Sequence, residues 1–138
     1  MRRFKAYQVY INKAIADLRA SMVLLKEETK DNDIICFHLQ QFVEKYLKAY
    51  LISKSIQPDR THNINKLVKL CADIDLDFDI YNNSIISELT DCAVLIRYDD
   101  DDEIDDDFIE QLIPLIDEFK IFVENKIDVN QISDKLFC

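Results

Sequence analysis

The stretch Asn32–Ser53, NDIICFHLQQFVEKYLKAYLIS, decides how the rest of the chain is read. It contains neither Gly nor Pro and predicts one helix of roughly six turns, about 33 Å long at ~1.5 Å per residue. Ile34, Ile35, Phe37, Leu39, Phe42, Val43, Tyr46, Leu47, Tyr50 and Leu51 leave it no wide solvent face. A helix apolar on most sides is a central helix, packed by neighbours on several flanks. One narrow polar stripe interrupts it. Gln41, Glu44 and Lys48 follow one another at helical spacing, with His38 and Lys45 beside them. Polar groups on a helix built for burial need partners, so the stripe is the first candidate functional surface. The competing reading is structural, because Glu44 and Lys48 stand four apart in the favourable order and can pair on the surface.

Working outward, the 138 residues contain no Gly and two Pro. A β protein needs Gly at turns and bulges, so the composition predicts helices joined by short polar loops. The length predicts one domain, residues 1–138, able to bury its own core, with a short tail at 128–138. No apolar run reaches the ~20 residues needed to span a bilayer. The N-terminus lacks the apolar core of a signal peptide, and the expectation is a soluble, cytoplasmic chain. Cys36, Cys71 and Cys92 sit among apolar residues and Cys138 is the last residue. No pair has the C-x2-C spacing of a zinc site, so the reading is inert thiols, no metal and no disulfide framework.

The net charge of −10 conceals a division. Residues 1–72 carry 13 Lys/Arg and 7 Asp/Glu, whereas residues 73–107 carry 14 acids against Arg97 alone. Such polarity lets one side meet an anion while the other repels it. A protein that coats nucleic acid needs a basic balance throughout, which this chain lacks.

In chain order, a first helix is expected from about Arg3 to Lys30, with Phe4, Tyr7, Ile11, Ala14, Leu18, Ser21 and Leu25 forming a narrow seam. Asp31 or Asn32 ends it and caps the second helix, making the two neighbours. Pro58 marks a loop, and Thr61 or Asn63 caps a third helix with Ile64, Leu67, Val68, Cys71 and Ile74 on one face. DIDLDFDI, Asp73–Ile80, alternates acid and apolar residues, a strand pattern. A lone short strand has no partner to bond, so an extended or loosely helical connector is expected instead. A fourth helix should run from Ile80 or Ser84 to Tyr98, with Ile85, Leu89, Cys92 and Ile96 on one face and Ile86 and Ala93 beside them. The run YDDDDEIDDDF has Asp at the alternate positions of a calcium loop, but Ile104 stands where that loop needs Gly. It reads as a solvated acidic loop leading into a fifth helix, Asp107 to about Lys126, with Phe108, Leu112, Leu115, Phe119 and Phe122 inward. Pro114 should kink or restart that helix.

The run FHLQQFVEKYLKAYLI resembles the signature helix of the HEPN domain family, an aromatic and a Gln followed by E-K-x-L-K-A-x-L. IADLRASMVLL (Ile15–Leu25) is similar to that family's first helix, THNINKL (Thr61–Leu67) to the start of its third, and AVLIRY (Ala93–Tyr98) to the end of its fourth. The resemblance implies an all-α, antiparallel up-and-down bundle of four to five helices. The family contains both nucleases and non-catalytic modules. In its nucleases an Arg near the place of Arg97 is followed, after about four to six residues, by a His; here Tyr98, four Asp, Glu103 and Ile104 follow. That absence counts against catalysis.

Arg97 remains the first site candidate, since its planar guanidinium binds oxyanions bidentately; the alternative is a cation placed favourably at a helix C-terminus. His62 and His38 are the remaining proton-transfer candidates, each with the alternative of a structural hydrogen bond. Gln41, Glu44, Lys45 and Lys48 with Arg97 and Tyr98 form the candidate ligand set, for a nucleotide or RNA. No phosphate loop or nucleophile elbow is present, and no cofactor is expected. The reading reached is a non-catalytic module acting by association. It forms a homodimer through helices two and four and, as the resemblance implies, pairs with a nucleotidyltransferase in a toxin–antitoxin system. The rivals are a metal-independent RNase that uses Arg97 with a His from elsewhere in the fold, and a nucleotide-binding module.

Overall fold

A computed structural model describes residues 6–94 and 104–127. Among these residues all regular structure is helical, as expected. Helix α1, Ala6–Leu25, ends five residues before the expected stop at Lys30. Its last turn tightens through Lys26 N–H donating to Val23 O and Glu27 N–H to Leu24 O, both 3.2 Å. Beyond that point residues 26–31 are exposed and have nothing to bury. Helix α2, Asn32–Ser53, has the expected bounds, and the Asp31 carboxylate caps it by accepting from Asp33 and Ile34 N–H. Helix α3, Ile64–Ile74, is capped by Asn63. It buries Ile64, Leu67, Val68 and Cys71, but Ile74 of the expected face is 38 % exposed.

Two 3₁₀ segments follow, Leu76–Tyr81 and Ile86–Val94. The first is the loosely helical connector anticipated from its alternating pattern. The second replaces the fourth α-helix that was expected, and its inward face changes accordingly. With three residues per turn, positions i and i+3 eclipse, so Ile86 and Leu89 are buried while Ile85 lies exposed. Helix α4, Asp106–Lys126, is capped by Asp105. The helix runs on through Pro114, so the fresh start that was one of the two expectations there does not occur. Leu112 and Phe119 are buried as expected, but Ile109, Ile116 and Val123 complete the inward face. Phe108, Leu115 and Phe122 are only half-buried.

Helix α2 is central, packing against α1, α3, α4 and the second 3₁₀ segment. Its apolar circumference is therefore covered within the chain, and only Ile34 and Phe37 among its large apolar residues are exposed. Contacts from Ser21 to Ile35 and from Asp17 to His38 and Lys45 set α1 antiparallel to α2. After α2, residues 54–63 return along it. His62 therefore reaches Gln40 and Glu44, and α3 then passes Leu47 at Cys71. The return starts at Ser55, which holds a φ of 64°. That left-handed conformation is one glycine normally supplies at a helix end.

The aromatic residues form one connected stack. Tyr50 meets Phe78 at 4.4 Å between centroids, Phe78 meets Phe122 at 5.0 Å, and Tyr81 meets both Phe119 and Phe122 at 5.2 Å. Cys71 is a free, buried thiol, which burial pushes up to about 12. Cys36 is buried and disulfide-bonded, so the expectation of inert thiols fails there.

Candidate functional site

The stripe of α2 does not face open solvent. Glu44, expected at the surface, is 3 % exposed, because the returning 54–63 segment and α3 cover it. Its carboxylate accepts from His62 Nδ1 at 2.6 Å and lies 3.8 Å from Lys48 Nζ. Gln40, fully buried, places its amide nitrogen 3.5 Å from Glu44 and 3.2 Å from the His62 carbonyl. Its amide oxygen accepts from Gln41 at 2.8 Å. These side chains make one continuous network around a buried carboxylate, each member supplying what the next lacks.

A second cluster lies across the stripe, towards α1. Asp17 accepts from His38 Nδ1 at 2.9 Å and from Lys45 Nζ at 2.5 Å. Its side chain is 12 % exposed, so this is a half-buried ion pair rather than a solvated one. The two clusters share a plan, one carboxylate holding one Lys and one His. They differ in exposure: the His38 side chain is 28 % exposed, whereas that of His62 is 74 % exposed.

Of the candidate residues, His38, Gln41, Glu44, Lys45, Lys48 and His62 are thus joined through two carboxylates. Arg97 and Tyr98 lie outside the described residues, as do the acids 99–103. Asp17 and Gln40 are the residues the sequence reading missed. Asp17 is the one acid within Ala6–Leu25, three residues after Ala14 and four before Ser21 on the packing seam. A lone carboxylate beside small seam residues was a usable signal. Gln40 precedes Glu44 by one turn inside an apolar run, a position where an amide must find a partner.

Chemically, a carboxylate on Nδ1 makes that nitrogen the donor and fixes the ring, leaving Nε2 of the exposed His62 as the nitrogen able to meet a ligand. Among the described residues no group of three or more His, Cys, Asp or Glu is placed to hold a metal ion. No described helix is long and apolar enough to cross a membrane.

The HEPN domain family model matches residues 7–126, from the first described turn of α1 to the last residue of α4. The chain belongs to the HEPN domain family. No curated protein and no solved structure matches it. In this HEPN domain the E-K-x-L-K run of α2 supplies Glu44, Lys45 and Lys48 to the two clusters.

Proposed function

We propose that this HEPN domain works by association and does not itself cleave RNA, acting as a homodimer and with a nucleotidyltransferase of a toxin–antitoxin pair. One observation carries the non-catalytic part: Lys45, Lys48 and His38 of the stripe, and His62 packed against it, are all held by Asp17 or Glu44. A phosphate approaching there meets compensated charge instead of a cationic pocket. The sequence adds that no His follows Arg97 within the nuclease spacing. The nucleotidyltransferase is supported by family resemblance, and the homodimer by the exposed Ile34 and Phe37 at the start of α2.

His62 favours one second reading, the metal-independent RNase. A buried carboxylate orienting an exposed imidazole is the arrangement general acid–base catalysis uses, and Arg97 would then hold the developing charge. An RNA-cleavage assay in chelator separates the two, run with wild type, Arg97→Ala, His62→Ala and His38→Ala. The expected outcome is no cleavage by any of them. Robust wild-type cleavage abolished by Arg97→Ala and by either His change would establish the RNase. Light scattering at tens of micromolar tests the homodimer, which a ~16 kDa monomer alone would exclude.

A further inference from the structure

The connector between α3 and α4 leaves part of its apolar content outside. Winding as a 3₁₀ helix, Leu76–Tyr81 turns Phe78 into the core and Tyr81 against Phe119 and Phe122. Leu76 and Ile80 are left 76 % and 66 % exposed. Ile80 then forms one wall of a groove of about 290 Å³, with Tyr81, Ile85 and Ile86 beside it and Leu115 and Glu118 of α4 opposite. That volume is just below the ~300–1,000 Å³ range of small-molecule pockets, and suits an inserted side chain better than a free ligand.

One acid, Glu118, lines the groove, and Asp79 adjoins its Ile80 wall in sequence, while Leu76–Val94 contributes no Lys or Arg. The two lysines of α4 are already engaged, Lys120 with Glu124 and Lys126 with Asp75 and Asp77. Asp79 and Glu118 have no ion pair among the described residues. Glu118 is close enough to Tyr81 to add to the effect of burial, and together they push its hydroxyl up to about 12.

From the exposed apolar wall, the unpaired Glu118 in its lining and the unpaired Asp79 next to Ile80 in sequence, we propose that this groove docks a helical segment of a partner protein with aliphatic residues on one face and Lys or Arg flanking them. Aliphatic anchors at i and i+3 or i+4 enter between Ile80, Ile85 and Leu115, while the cations meet Glu118 and Asp79. The inference deepens the association reading, on which it rests, by naming the surface and the chemistry of what it receives.

The test uses the full chain and three labelled synthetic peptides of about 18 residues. One places Leu and Lys on opposite faces of a helix, one replaces its Lys by Glu, and one scrambles the Leu/Lys composition so that no apolar face forms. Anisotropy titration should show that the amphipathic Leu/Lys peptide alone binds well. Ile80→Ser with Ile85→Ser should weaken it roughly tenfold, and Glu118→Gln severalfold. Both isoleucines are exposed, so the double variant should melt close to wild type, confirming that lost binding is not lost folding. Equal binding of the scrambled peptide, or full binding by the double variant, would mean attraction by charge alone and overturn the proposal. Absence of binding overturns it too. So does a wild-type dimer that the double variant converts to monomer, since a second copy would then occupy the groove. Should the domain co-elute with a nucleotidyltransferase whatever stands at Ile80 and Ile85, the groove fails and the association reading survives.

Discussion

Glu44 and His62 stand 18 residues apart in sequence and 2.6 Å apart in space. Removing the carboxylate and removing the imidazole are not equivalent changes. Glu44→Ala strips a buried acceptor from Gln40, Lys48 and His62 together, and Lys48 is left at 13 % exposure without its counter-charge. A loss of about 2–4 kcal/mol is expected, since breaking a buried pair from one side leaves an uncompensated group. His62→Ala should cost less than about 1 kcal/mol, because the ring is 74 % exposed and Glu44 keeps its other partners. Urea unfolding of the two variants measures this, and equal losses would show that the imidazole, rather than the carboxylate, organises the cluster.

Within single elements, the segment Asp73–Ile80 shows how one pattern can serve two windings. In an extended chain its alternation would place Ile74, Leu76, Phe78 and Ile80 on one face. The 3₁₀ winding instead buries Phe78 and exposes Leu76 and Ile80. Phe78→Ala is accordingly expected to cost about 3–5 kcal/mol, as large core truncations do. Leu76→Ala and Ile80→Ala should each stay within about 0.5 kcal/mol. Similar losses at all three positions in denaturant titration would show that the segment is extended in solution. The helices themselves were legible from their periodicity, and α2 to the residue. The second 3₁₀ segment was not, because Ile85 and Ile86 are adjacent and sequence alone does not say which of them faces in.

Across the molecule, Lys126 ties the end of α4 to the start of the first 3₁₀ segment, 2.8 Å from Asp75 and 2.5 Å from Asp77. Lys126 donating to Asp75 holds that carboxyl below its ordinary range, helped by the Asp77 N–H. The same two carboxylates raise Lys126. The unfolded chain therefore binds a proton at Asp75 at a higher pH than the folded one does. The clamp's stabilisation is present above the ordinary carboxylate range and lost as pH falls through the lowered folded value. On the alkaline side it is present below the ordinary lysine range and lost as pH rises through the raised one. The gap in thermal midpoint between wild type and Lys126→Met should be flat from about pH 5 to 9 and close below about pH 4. A gap unchanged in acid would remove the clamp from the stability of the fold.

What the sequence by itself determined is the helical class, the central place of α2, the caps of α2 and α3 to within two residues each, and the polar stripe with most of its members. Each of these is local: a repeat of 3.6 residues, or a side chain reaching its own helix end, is written within one turn. The tertiary structure decided the partners. Asp17 meets Lys45 across 28 positions because α1 runs antiparallel to α2. His62 meets Glu44 because residues 54–63 turn back along α2 instead of leaving from its end. No periodicity encodes that return. It follows from the left-handed Ser55 and from burial of α3 against α2, and it turns a stripe of apparently solvated charges into two compensated clusters.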